Sequence, residues 1–304
     1  MQYDVIIIGT GPAGYTAAIY CSRYNLKTAI IGKEPGGMAA TAHKVENWPG
    51  EISLSGSDLM EKFKSHVKNF NVEIIDSQVK KITKNNNTFT IYLNNNEIIA
   101  KSIILAVGTK HRNLNIEGEK EFLGKGVSYC STCDGAFFKN KKVAIIGGGN
   151  SAFMAANQLS DIAKTVYLIY IDEKPLAMPS WVQRVTAKKN VTIIPKNTVV
   201  KIIGNKFVEK IQLKENFNNN DLLEIDGVFV EIGSIPNDHL IANLGIKTND
   251  KKYMIVDNTQ KTNIDGVFAA GDITTNSNGF AQIITASAEG AISALSAYKY
   301  IKNN

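Results

Sequence analysis

The apolar and polar positions of the chain fall into a phrase that occurs twice. Val5-Ile6-Ile7-Ile8 is a β-branched run, closed by Gly9-Thr10-Gly11-Pro12-Ala13-Gly14 and followed by the small-residue stretch Tyr15-Thr16-Ala17-Ala18-Ile19-Tyr20. A short apolar run bounded by glycines predicts a buried strand, and the stretch after it a helix. A further strand over 27–31 completes the opening of a βαβ unit. Near the middle the phrase returns: a strand over 142–146, the turn Gly147-Gly148-Gly149-Asn150-Ser151-Ala152, a helix over 153–160 and a strand over 165–171. A late strand runs from Gly266 into Gly271-Asp272 and precedes a helical stretch from Gln282 to Tyr300. Asparagine-rich turns at 85–87, 94–96 and 217–220 predict edges of antiparallel β structure.

This order predicts an α/β chain with two Rossmann-like nucleotide-binding domains, each a three-layer ββα stack, the second inserted into the first. The expected division is 1–112 with 241–304 for the outer domain and 113–240 for the inner one. The length of 304 residues agrees with roughly 150 residues per domain.

Composition narrows the class. The chain is 44% apolar and 20% charged, a globular balance and not a disordered one. No early apolar run approaches the ~20 residues of a membrane span. The start lacks the basic segment and long apolar core of a signal peptide. The expectation is a cytoplasmic protein without membrane or nucleic-acid partners. Three cysteines exclude a disulfide scaffold. The net charge of +6 has two readings, a general Lys/Asn bias or a basic face that draws an acidic partner.

The first glycine turn has a specific use. Gly9 permits the tight turn, Gly11 lets the backbone approach a pyrophosphate, and Gly14 lets helix and strand pack closely. The helix start then offers free N–H groups to phosphate. Glu34, after the second strand, is a loose match for a ribose-binding acid. Cys130-Ser131-Thr132-Cys133-Asp134-Gly135 has the spacing of a reversible disulfide, one sulfur attacking and the other resolving. Zinc would need a second ligand pair, and Cys21, His43, His66, His111 and His239 do not supply its spacing. No metal site is expected, and Cys21 reads as a buried filler.

Taken together, Gly9 to Tyr20, Pro35-Gly36-Gly37, Val45-Glu46-Asn47-Trp48-Pro49-Gly50, the Cys130 to Gly135 hexapeptide and Gly266 to Asp272 resemble the low-molecular-weight flavoprotein thioredoxin reductases over nearly the whole chain. The resemblance implies FAD in the outer domain. It assigns to the flavin Gly9, Gly11, Pro12, Ala13, Gly14, Lys33, Glu34, Gly37, Met38, Asn47, Val79, Gly108, Gly271, Asp272, Ala281, Gln282 and Ile283. It also implies that Cys133 faces the flavin, that Cys130 attacks the disulfide of thioredoxin, and that Asp134 handles the proton. A homodimer and a hinge near 112–115 and 235–239 go with it. Two positions depart from the family near the flavin: Ala281 stands where it usually has Arg, and Met38 where it usually has Gln.

A larger departure follows the second turn. Where the family carries arginines for the 2′-phosphate of NADPH, this chain reads Tyr170-Ile171-Asp172-Glu173-Lys174-Pro175-Leu176. Each charge-assisted hydrogen bond is worth about 1.5–3 kcal/mol, so losing two costs about 3–6 kcal/mol, or about two to four orders of magnitude in affinity. Pro175, Pro179 and Trp181 predict a stiff, bulky loop over the same region. The segment is similar in this respect to the ferredoxin-dependent flavin thioredoxin reductases, and the +6 charge suits an acidic ferredoxin. The expectation is a ferredoxin-dependent thioredoxin reductase. The alternatives are an NADPH- or NADH-dependent reductase, or a flavin-bound redox sensor.

Overall fold

The first strand, β1 (Gln2–Ile8), is the centre around which the outer unit forms. It pairs in parallel with β2 (Thr28–Ile31) on one side and with β6 (Glu97–Leu105) on the other. β3 (Glu73–Ile75) extends the sheet beyond β2. β4 (Lys81–Asn85) and β5 (Thr88–Tyr92) form an antiparallel hairpin that joins β6 through β5. Helices α1 (Pro12–Arg23) and α2 (Gly56–Asn69) fill the connections. The structure, a computed structural model, describes residues 2–42, 44–94, 96–237, 240 and 244–304.

β7 (Thr109–His111) leads out of this unit. Next come β8 (Val127–Ser128), the short helix α3 (Ser131–Asp134) and β9 (Lys142–Ile146). α4 (Asn150–Ser160), β10 (Thr165–Ile169), α5 (Pro179–Thr186) and β11 (Val191–Ile194) follow. β12 (Val199–Gly204), β13 (Val208–Phe217) and β14 (Asn220–Glu224) make an antiparallel three-stranded sheet. β15 (Gly227–Val230) completes a parallel sheet of order β11-β10-β9-β15-β8. After β16 (Ser234–Pro236) the chain returns, placing β17 (Val267–Ala269) against β6 and ending in α6 (Ile283–Asn303).

Two compact units result, Met1–Lys110 with Ile235–Asn304, and His111–Ser234. The expected breaks, 112/113 and 240/241, lie a few residues further along the chain. Each unit is a ββα stack, because strand alternation sends successive residues to opposite faces. Val5, Ile7, Ile30 and Ile104 pack under α1 and α6 with Tyr15, Ala17 and Ala294. Ile6, Ile8, Ile31 and Ile103 face the other way, toward Phe89, Ile91, Met254 and Val256. In the middle unit Val143 and Ile145 meet Phe153 and Leu159 of α4, while Ala144 and Ile146 meet Ile202 and Ile211 of the three-stranded sheet. A fully buried Ile or Phe contributes about 1.5–3 kcal/mol, so the β-branched runs decide which strands are central.

The segment from Pro179 onward departs from the expected loop. Pro179 and Trp181 do not belong to a loop. Pro179 opens α5 at a first-turn position, and Trp181 packs partly buried against the α4 core. Proline suits the first turn because its missing N–H has no intrahelical acceptor there. Among the described residues no helix is long and apolar enough to cross a membrane.

Candidate active site

The outer unit presents a cradle at the start of α1. Gly9 has φ +117°, and a Cβ there would stand 2.0 Å from the Ala106 carbonyl oxygen. At Gly14 a Cβ would stand 1.9 Å from Gly9 O, so only glycine lets α1 approach the turn. Gly11 is open: the nearest atom to a Cβ is Gly36 O at 4.0 Å. Gly11 caps α1 without a side-chain hydrogen bond, and Pro12 starts the helix. The first-turn N–H groups therefore point outward without helical acceptors, as a pyrophosphate requires.

Other expected flavin residues gather in part around this turn. A Cβ on Gly37 would lie 3.5 Å from Gly11 Cα, and one on Gly271 would lie 3.0 Å from the Ala13 Cβ. The Thr109 hydroxyl donates to the Met38 sulfur at 3.4 Å. Asn47 Nδ2 donates to Gln282 Oε1 at 2.8 Å, joining a loop to the cap of α6. Ala281 and Ile283 flank that cap. Lys33 and Glu34 are exposed after β2, and the Glu34 carbonyl accepts from the Thr10 hydroxyl at 2.9 Å. Val79 lies in the core with Ile8 and Ile31, and Gly108 has φ +59° with open space around it.

Asp272 tests the fit of a flavin. Burial, and next the charge of Glu289, pushes its carboxyl up to about 6. Among the described residues no hydrogen bond accounts for that carboxyl. An acid held without a donor suits a ligand hydroxyl. The open Gly11, the free amides and Asp272 together fit FAD.

The middle unit carries the sulfur chemistry. Cys130 and Cys133 are joined in a disulfide. Cys130 caps α3, and its Sγ accepts from the Cys133 N–H at 3.1 Å. The Ser128 hydroxyl donates to Asp134 Oδ2 at 2.6 Å and accepts from the Cys130 N–H at 3.0 Å. The Ser131 hydroxyl donates to Gln158 Oε1 at 3.1 Å, which fixes α3 on α4. A Cβ on Gly135 would meet the Leu159 side chain at 3.0 Å, so the turn after the dithiol sits close on α4. Cys133 is exposed and Cys130 half-buried. Cys21 is buried, its thiol pushed up by desolvation. His66 packs on Phe70 and His111 on Tyr129, whereas His43 and His239 lie outside the described residues.

The second glycine turn stands at the ends of β9 and β15. Gly147 has φ +144°, and a Cβ there would stand 2.1 Å from Glu231 O. Gly149 is open, like Gly11. The Leu176 N–H donates to Gly148 O at 2.8 Å, just as the Gly36 N–H donates to Thr10 O at 2.8 Å in the outer unit. The Met178 N–H also donates to Asn150 Oδ1 at 2.7 Å, tying this loop to the start of α4. The loop itself is acidic: Asp172 is exposed, and Glu173 pairs with Lys196 at 3.0 Å. Burial pushes the Glu231 carboxyl up to about 7.

Sequence reasoning missed Ser128, Gln158, Thr109, Glu231 and Glu289. Glu289 alone left a signal, as the single charged residue between Asp272 and Lys299.

Two Rossmann-type units and a redox dithiol define a disulfide oxidoreductase. The comparisons agree. The pyridine nucleotide-disulphide oxidoreductase model matches residues 3–290. A thioredoxin reductase of Listeria innocua is 38% identical over 99% of this chain and 94% of its own. The crystal structure of Lactococcus lactis thioredoxin reductase matches with TM-score 0.95 and 35% identity, over 99% of this chain and 100% of that one. A ferredoxin-flavin thioredoxin reductase from Clostridium acetobutylicum matches with TM-score 0.55 and 33% identity, over 100% and 98%. The chain belongs to the pyridine nucleotide-disulphide oxidoreductase family and, within it, to the low-molecular-weight thioredoxin reductases. Thioredoxin reductases of this family bind FAD and act on thioredoxin.

Proposed function

We propose that the chain reduces the disulfide of thioredoxin through Cys130 and Cys133, with a reduced nicotinamide dinucleotide as electron donor. The observation that carries this reading is the dithiol turn at the start of α3, in the same unit as a second open glycine turn. In the reduced enzyme the Cys133 N–H stabilises a thiolate on Cys130, because a hydrogen bond to the charged form favours it. That thiolate attacks one sulfur of thioredoxin, and the other leaves and takes a proton. Cys133 then attacks the Cys130 sulfur of the mixed disulfide. Reduced thioredoxin departs and the Cys130–Cys133 disulfide re-forms. Asp134, held by Ser128, is the group assigned to carry protons at this turn. FAD, when bound, supplies the route by which an electron pair reaches the disulfide. Its assigned contacts are the first glycine turn, Asn47, Asp272 and Gln282.

The donor departs from the sequence expectation of ferredoxin. The pyridine nucleotide-disulphide oxidoreductase model over residues 3–290 and the open Gly149 of the second turn support a nicotinamide donor, and the ferredoxin-flavin enzyme matches at TM-score 0.55 against 0.95 for the Lactococcus lactis thioredoxin reductase. Ferredoxin stays as a second reading on one observation: the segment 170–176 offers Lys174 as its only cation beside Asp172 and Glu173. Anaerobic mixing of the flavoprotein with NADPH, NADH and reduced ferredoxin separates the readings. Rapid flavin bleaching by either nucleotide supports the first; bleaching by ferredoxin alone overturns it. A homodimer and a cytoplasmic setting accompany the proposal, and light scattering of the purified protein tests the dimer.

A further inference from the structure

Glu289 lies on α6 with 4% of its surface exposed. Its carboxylate is fully engaged. Oε2 accepts from the Gly271 N–H at 2.8 Å and from the Thr274 hydroxyl at 2.8 Å, and Oε1 accepts from the Ser277 hydroxyl. All three donors belong to the loop after β17, which carries Asp272. That loop is not relaxed on its own: Ser277 and Asn278 have φ +54° and +51°, a left-handed conformation that a serine rarely adopts unaided. The neighbouring Gly290 packs so closely that a Cβ would stand 2.2 Å from Ala13 O in the first turn of α1. The same stretch of α6 thus touches the phosphate turn and binds the Asp272 loop.

We infer that Glu289 is a positioning residue for the flavin, tying Gly271, Thr274 and Ser277 to α6 so that Asp272 is fixed beside the first turn of α1. The inference rests on the flavin reading of that turn. A buried carboxylate in a helix of small residues is a costly choice unless its acceptors are needed. Here every acceptor meets a donor from one loop. Gln at this position can still accept from Gly271 N–H with its oxygen and donate its amide to Ser277, so the geometry predicts rescue by the amide. Ala leaves the Gly271 N–H without a partner.

The test uses the purified holoenzyme, with flavin affinity read from fluorescence recovery on dilution and the visible band shape from absorbance. Apoprotein melting is followed in parallel. Glu289→Ala should weaken flavin affinity about tenfold or more and alter the flavin band shape. Glu289→Gln should keep affinity within about threefold and retain the wild-type band. Wild-type flavin affinity and band shape in Glu289→Ala, with intact folding, overturn the inference. So does equal flavin loss in both variants when Glu289→Gln melts like wild type. If Glu289→Ala fails to fold, the Glu289→Gln comparison with Thr274→Val decides, since Thr274→Val removes one tie and should shift the band while Glu289→Gln does not. A wild-type protein that holds no flavin would instead sink the underlying reading.

Discussion

The N–H of Cys133 donates to the sulfur of Cys130 at 3.1 Å, so one backbone group favours a thiolate on the first cysteine of the pair. Cys133→Ser keeps that N–H and leaves Cys130 as a lone thiol. Its alkylation by iodoacetamide should be faster than that of Cys133 in Cys130→Ser, and it should trap thioredoxin as a stable mixed disulfide. Cys130→Ser should retain flavin, form no such adduct and lose turnover. Adduct formation by Cys130→Ser and not by Cys133→Ser would reverse the two roles.

Gly14 faces the Gly9 carbonyl so closely that a methyl group has no room, standing 1.9 Å from its oxygen. Gly14→Ala must push α1 away from the turn. The cost is that of an overpacked core, about 1–3 kcal/mol, and it falls on the phosphate cradle. Urea unfolding should show that loss, and the purified variant should be largely free of flavin. Gly149→Ala faces open space and should melt like wild type.

Asp272 has a folded-state value of about 6 against an ordinary 3.8, raised by burial and then by Glu289. Between those pH values the folded apoprotein holds a proton that the unfolded chain has released. Its contribution is therefore complete below the lower value and lost as pH rises through the upper one. Asp272→Asn removes the penalty of ionising at neutral pH. The apoprotein variant should gain roughly 1–3 kcal/mol over wild type at about pH 7.5 and little at about pH 4. Flavin affinity should fall at the same time, because the amide is a poorer partner for a ligand hydroxyl. A variant that is neither more stable nor weaker for flavin would show Asp272 to be remote from both effects.

Much of this fold was legible because its signals are local. The strand over 142–146 is observed with those bounds, and α6 begins one residue after Gln282, whose side chain forms a reciprocal cap with Thr285. The glycine turns and the dithiol were also readable, since their chemistry lies within a few residues. What depends on distant partners was not. Glu289 meets donors twelve to eighteen residues away, and Ser131 meets Gln158 across a strand and a turn. Pro179 misled because the same residue serves a stiff loop and a helix start. The donor was read from missing arginines, whereas the turn that would hold a nucleotide keeps its open glycine.

Asp172 follows Gly147 at the same spacing as Glu34 follows Gly9. An acid near this distance from a dinucleotide turn hydrogen-bonds an unphosphorylated ribose. The same carboxylate repels a 2′-phosphate, and it is exposed, with Lys174 two residues on. Under the nicotinamide reading, NADH should reduce the flavin more efficiently than NADPH. Asp172→Ala should shift the NADPH-to-NADH ratio of kcat/KM toward NADPH by roughly three- to tenfold at low salt, and less at high salt. Stopped-flow bleaching of the flavin under anaerobic conditions measures both rates. An unchanged ratio with both nucleotides active would remove Asp172 from the ribose. If neither nucleotide bleaches the flavin and reduced ferredoxin does, the acidic loop belongs to an enzyme that takes its electrons from a protein.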